Sequence, residues 1–261
     1  MRKLSYPGRS NVLAQNGMVA TSNPLSSMVA INVLQKGGNA VDAAIAASAV
    51  QAVVCPSATG IGGDCFAIIS MNGKKPIAVN GSGIAPKRAN LQFYKDNKIK
   101  NIGLTSPHSV TIPGAVHAWC SMHEKFGRID FNEVLNGAEN FARKGFPVHE
   151  VEAIAWKENE KKLKKNSNSK RLFLNENLSY SYGEVFKNIP LANTLRIISK
   201  NKIKGFYQSE ITKDMVKTLN KLGGLHTEED FYNQKTLFSK TITNSYSCLL
   251  YTSDAADDGY R

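Results

Sequence analysis

Cysteine is scarce in this 261-residue chain, and no two cysteines form a C-x-x-C pair. Cys55, Cys65, Cys120 and Cys248 are scattered, so their spacing signals neither a zinc knuckle nor a redox dithiol. Buried thiols in a reducing compartment are the plain expectation, with no metal and no cofactor. No apolar run reaches the ~18–20 residues that a membrane span needs. The best stretch, residues 40–54, is short, alanine-rich and carries Asp42, so it reads as a buried helix and no membrane partner is expected. The start, Met1 to Gly8, is positively charged but has no apolar segment behind it. No secretory signal is read there, and a cytoplasmic location is the expectation. Catalytic strings are missing as well: there is no Walker sequence, and His149-Glu150 lacks the second histidine of an H-E-x-x-H site.

Acids are the minority charge. Against 33 lysines and arginines stand 21 aspartates and glutamates, a formal net charge of +12. Most of the excess lies in Lys157 to Arg171 and in lysines scattered from 187 to 240. No aromatic interleaving, RNP-like string or helix-turn-helix spacing accompanies it, so it reads as a solvated helix face and no nucleic-acid partner is expected. Apolar residues at 42% and charged residues at 21% describe an ordinary folded protein, long enough for one large or two small domains. Cys248 to Arg261 contains neither Lys nor Asn and breaks the bias of everything before it. We therefore divide the chain into residues 1–247 and a foreign-looking 248–261, which resembles a translated sequencing adapter and is set aside from fold reasoning. On this reading the gene continues past about Ser247.

What is present is mostly helix punctuation. Ser22-Asn23-Pro24 opens a helix that Gly37-Gly38 ends, and Asn39 caps a second helix from Ala40 to about Val54, closed by Pro56. Residues 66–71 and 76–80 flank Asn72-Gly73 as a β-hairpin. Pro113-Gly114 opens a helix to about Phe126. Asp130 with Glu133 suggests a capping box for a helix ending at Lys144-Gly145. Further helices are expected at 148–165, 190–200, 209–221 and 227–232, and one strand at 237–246. Strands early and helices late indicate an α+β fold rather than a βαβ series.

Several motifs invite chemistry. Gly60-Ile61-Gly62-Gly63 looks like a nucleotide loop, but a helix precedes it and a strand follows, which inverts the dinucleotide fingerprint. What survives is a tight turn with backbone N–H groups facing a cavity, fixed by Asp64. Gly81-Ser82-Gly83 is not a G-x-S-x-G elbow, and Ser82 as a nucleophile needs a base that the sequence does not identify. Cys65 as a catalytic thiol needs a paired histidine. A non-enzymatic basic protein with an anion-binding loop remains a reading of another class.

One resemblance orders these pieces. Gly17 to Ser22, Gly37-Gly38-Asn39-Ala40-Val41-Asp42-Ala43-Ala44 and Pro56 to Asp64 are similar to the γ-glutamyltranspeptidase family. So are Ala85-Pro86, Thr105 through Pro113-Gly114-Ala115-Val116, and Gly145-Phe146-Pro147-Val148. Gly205-Phe206-Tyr207, Gly223-Gly224-Leu225 and Glu229-Asp230-Phe231 continue the pattern, in order, across about residues 15–246. The resemblance implies an αββα N-terminal-nucleophile hydrolase sandwich, of which this chain holds only the large-subunit part. In that family a precursor cleaves itself, and the new N-terminal threonine of the small subunit is the nucleophile, its own amine serving as base.

No catalytic residue is then expected within this chain, and the missing small subunit is its implied partner. The implied substrate is a γ-glutamyl or related small acidic amide; an oxamate or glutaryl amide is the alternative. Typical members carry, four residues before the proline of Ala-Pro, an arginine that grips the substrate carboxylate bidentately. Here that position is Ser82. Relatives with Gly-Ser-Gly often place an arginine just before Ala-Pro, where this chain has Ile84. Typical members are also exported, whereas no signal is read here.

Overall fold

The structure, a computed structural model, describes residues 12–246 and 249–253. The first helix, α1 (Pro24–Gln35), begins where Asn23 accepts a hydrogen bond from the Leu25 amide. Asn39 caps α2 (Ala40–Val54) in a full box: its side chain accepts from the Val41 and Asp42 amides, while Asp42 accepts from the Asn39 amide. The small side chains of α2 let α1, α4 and α5 approach it, which buries it on almost every side. The expected hairpin follows as β1 (Cys65–Ile69) and β2 (Ile77–Gly81), antiparallel with Ala67 opposite Val79. Its connection is longer than a two-residue turn and bends at Gly73.

Next come α3 (Leu91–Asp96), a 3-10 turn at Pro107–Ser109, α4 (Ala115–Phe126) and α5 (Phe131–Lys144). Asp130 caps α5 through the Asn132 amide rather than through a reciprocal bond with Glu133, which turns toward Lys36. A small aromatic unit is built from β3 (Phe146–Pro147), α6 (Glu150–Leu163), α7 (Ser167–Phe173), β4 (Leu174–Asn175), β5 (Leu178–Ser179) and β6 (Val185–Phe186). In it Trp156, Phe173 and Tyr180 pack around Phe186. The lysine-rich end of α6 lies in solvent, where Glu160 accepts from Lys164 and from the Ser179 amide and hydroxyl. Those contacts, Lys164 first, hold its carboxyl down to about 2.

The chain ends with α8 (Ile189–Tyr207), α9 (Glu210–Lys221), α10 (Glu228–Tyr232), β7 (Leu237–Lys240), β8 (Ile242–Tyr246) and β9 (Leu249–Ser253). Helix α8 outruns its expected end at Lys200: the helical path breaks at Lys202 (φ 50°) and resumes to Tyr207. The single strand expected at 237–246 is two. β7 pairs with β2 until Lys240 meets Ile77, the first residue of β2; Pro76 before it has no N–H to offer, and the chain turns away to pair β8 with β9. Strand β9 falls in the segment set aside as foreign; residues 254–261 lie outside the described ones.

The main sheet has the order β1-β2-β7. One face, through Ala67, Ile69 and Val79, packs on the core shared with α2 and α4. On the other face Phe66 and Ile68 are 44% and 41% exposed, beside Leu237 at 63%. One helical layer on one face of one sheet is half of an αββα sandwich, and the α+β reading holds.

Candidate functional site

β2 ends at Gly81, and Ser82 to Pro86 then cross the N-terminus of α4. The approach is too close for side chains. A Cβ at Gly114 would lie 2.0 Å from the Gly81 oxygen, and one at Gly83 would lie 1.7 Å from the Ile112 oxygen. The Ile112 amide donates to the Ile84 carbonyl at 2.9 Å, which zips the two segments together.

The glycine-rich turn locks onto the same point. Gly63 C=O accepts from both the Gly114 and Ala115 amides at 2.9 Å, and Asp64 Oδ1 accepts from the Gly83 amide at 2.9 Å. Asp64 therefore fixes this turn, and it does so by holding the Gly-Ser-Gly segment against it. From the other side, Gln234 donates to the Ser82 carbonyl at 3.0 Å and accepts from the Ile84 amide at 3.1 Å. Asp230 accepts from the Lys87 amide at 2.9 Å. Burial alone would raise the Asp230 carboxyl, but the Lys87 amide and the Thr227 hydroxyl and amide outweigh it and hold it below its ordinary value. Tyr207, fully buried, donates to Pro113 C=O at 2.7 Å and accepts from the His117 amide at 3.0 Å.

Ser82 itself is half-buried, and its amide and hydroxyl both donate to Asn80 Oδ1. An amide oxygen is no base for a serine nucleophile. Cys65 has no histidine bonded to it among the described residues, and burial pushes its thiol up to about 11, so it stays protonated and weakly nucleophilic. A cavity of about 550 Å³ does not include Ser82. It lies along the free edge of β1, between that strand, the N-terminal half of α2, and Trp119 and Met122 of α4.

Folding also gathers a set that the sequence did not reveal. Cys55 Sγ, His149 Nε2 and a Glu152 carboxylate oxygen all lie within 4.8 Å of one another. His149 and Glu152 are three apart at the start of α6, a spacing that puts both on one helix face. Cys55 is 94 residues from His149, and nothing local in the sequence links them.

Comparison with known proteins follows the same outline. Residues 26–256 match the family model described as Gamma-glutamyltranspeptidase. A glutathione hydrolase proenzyme of Pseudomonas sp. (strain A14) is 33% identical over 227 residues, covering 85% of this chain and 40% of that protein. The chain thus spans well under half the length of this curated relative. The crystal structure of Helicobacter pylori gamma-glutamyltranspeptidase superposes with a TM-score of 0.90 at 29% identity, over 96% of this chain and 73% of that one. The crystal structure of a cephalosporin acylase from Bacillus halodurans gives a TM-score of 0.87 at 32% identity, over 94% and 47%.

Proposed function

The chain belongs to the gamma-glutamyltranspeptidase family, and from that premise we propose that it is the large-subunit portion of a precursor whose complete form cleaves small acidic amides. The nucleophile in this reading is a threonine exposed by self-cleavage in the chain that follows. Its hydroxyl attacks the acyl carbon while its own amine takes the proton, and the leaving amine receives that proton as the C–N bond breaks. Water, or an acceptor amine, then attacks the ester to release the acid or the transferred acyl group. The 261-residue chain supplies the frame for this chemistry and is itself inactive. Its free β1 edge, with the cavity beside it, is where strands of the missing part are taken to pair.

The observation that carries the substrate reading is Ser82. A neutral hydroxyl tied to Asn80 occupies the position at which the family resemblance implies a carboxylate-gripping arginine. Gamma-glutamyl amides remain the first substrate to test. The likeness to a cephalosporin acylase supports a second reading, in which the acyl group is an acid without the γ-glutamyl α-amino acid head, such as a glutaryl or oxamate amide. The complete precursor, assayed with γ-glutamyl anilide and glutaryl anilide in parallel, separates the two. Activity on the first substrate alone sinks the second reading. If glutaryl anilide is favoured, Ser82→Arg should shift kcat/KM toward the γ-glutamyl substrate, mainly through KM.

A further inference from the structure

We propose that Cys55, His149 and Glu152 form a zinc site that clasps the entry of the glycine-rich loop to the N-terminus of α6. Cys55 is the residue that ends α2, immediately before Pro56 and the loop to Asp64. His149 caps α6 without using its side chain for the cap, so the ring is free to face Cys55. Glu152 sits in the first turn of the same helix.

The distances suit the ion. Zn–S and Zn–N bonds of about 2.3 and 2.0–2.1 Å, opened to a tetrahedral angle, place sulfur and nitrogen about 3.6 Å apart. Cys55 Sγ and His149 Nε2 are 3.7 Å apart. The glutamate oxygen lies within 4.8 Å of both, so binding the ion draws the Glu152 carboxylate inward by a side-chain rotation. The charges suit it too. A thiolate and a carboxylate neutralise a divalent cation, and the imidazole binds neutral. A thiolate, an imidazole and a carboxylate form a borderline donor set that favours zinc over magnesium or calcium, which take oxygen alone.

Outer contacts already orient the ligands. Asn23 Nδ2 donates to Cys55 Sγ at 3.4 Å, and Asn23 is itself buried. Ser57 donates to Glu152 through its hydroxyl at 2.6 Å and its amide at 3.3 Å. Such outer partners fix ligand geometry at metal sites. Glu152 is only 2% exposed, and among the described residues no lysine, arginine or histidine nitrogen comes within ion-pair reach of it. A buried carboxylate without a cation is costly, and a bound divalent ion removes that cost. The rival role, a cysteine nucleophile activated by His149, is poorly served because Cys55 is 6% exposed and substrate cannot reach its sulfur. Three protein ligands leave a fourth position, which water fills from the side of the exposed Ser57.

The test uses the complete gene product, purified on a tag that binds no metal, stripped with chelator and titrated with Co²⁺. The expected result is one equivalent bound, with a thiolate-to-cobalt charge-transfer band and the intense visible bands of tetrahedral coordination, both erased by Zn²⁺. Cys55→Ala and His149→Gln should each abolish the stoichiometric site, while Cys65→Ala keeps it. Ser57→Ala, which leaves the three ligands in place, should weaken Zn²⁺ about 10–100-fold. His149 is partly exposed, so its variant keeps the test decisive if Cys55→Ala fails to fold. Absence of the bands in the unmodified protein overturns the proposal, as does their survival in His149→Gln.

Discussion

A methyl group at Gly83 would lie 1.7 Å from the Ile112 carbonyl oxygen, with backbone rather than a flexible side chain in the way. Gly83→Ala must therefore push the Gly-Ser-Gly segment off the start of α4 and strain the hydrogen bond to Asp64. We expect a loss of about 1–3 kcal/mol in urea unfolding of the complete protein, the usual range for overpacking. Gly62→Ala is the control, because a Cβ there meets nothing within 4 Å. It should stay within about 0.5 kcal/mol of the parent. Equal costs for the two would mean that the contact does not constrain the fold.

His226 supplies a prediction about pH. The ring is buried, its Nε2 donates to Val110 C=O at 2.8 Å, and its Nδ1 has no partner among the described residues. Burial, outweighing that hydrogen bond and the charge of Asp230, holds it below the ordinary histidine value. Below a pH of about 6.5 the unfolded chain takes up a proton that the fold refuses, so stability falls on acidification. Above that pH this group contributes no slope. His226→Gln keeps a donor for Val110 without titrating, and should flatten the plot of unfolding free energy against pH below about 6.5. His117, also held low by burial, leaves a residual slope. Identical slopes in parent and variant would remove His226 from the account.

At the scale of elements, α2 depends on one carboxylate. Asp42 is fully buried and accepts from the Asn39 amide at 2.9 Å and the Arg128 amide at 3.0 Å, so it caps its own helix and anchors the link between α4 and α5. Asp42→Ala removes the box and orphans both amides, which should cost roughly 2–4 kcal/mol, read as a shifted urea midpoint. Asp42→Asn, which still offers an acceptor, should recover part of it. No recovery would mean that the charge, not the hydrogen bonding, matters.

This helix also marks how far the sequence could be read. Asn23, Asn39 and Asp130 each cap a helix at the expected position because a cap is a local interaction, written within three residues. The split of 237–246 was hidden because it depends on where β2 runs out, more than 150 residues earlier. For the same reason the glycines could be seen, but not what they touch. Gly83 needs Ile112, and Ser82 is clasped by Gln234. The family pattern pointed to Ser82, whereas nothing short-range linked Cys55 to His149.

For the molecule as a whole, the decisive feature is an apolar surface left at a sheet edge. Among the described residues β1 has a partner on one side only, and on its other side lies the cavity of about 550 Å³, lined mainly by apolar groups of α2, α4 and β1 itself. Phe66 and Ile68 stand exposed on the same strand. An unpaired apolar edge of this kind is a template for pairing with any other strand. Expressed by itself, the 261-residue chain should therefore self-associate, bind a hydrophobic dye, and exchange its β1 amides rapidly. On the proposed reading, further strands of a longer precursor occupy the edge, and that precursor should be monodisperse, melt cooperatively and protect those amides. Phe66→Lys should make the isolated chain more soluble, since a charge blunts the edge, and should impair assembly of the complete protein by placing that charge in an interface. A monomeric isolated chain with a sharp melt and protected β1 amides would show that the edge is not a docking surface. The large-subunit portion would then have to be regarded as a self-sufficient domain.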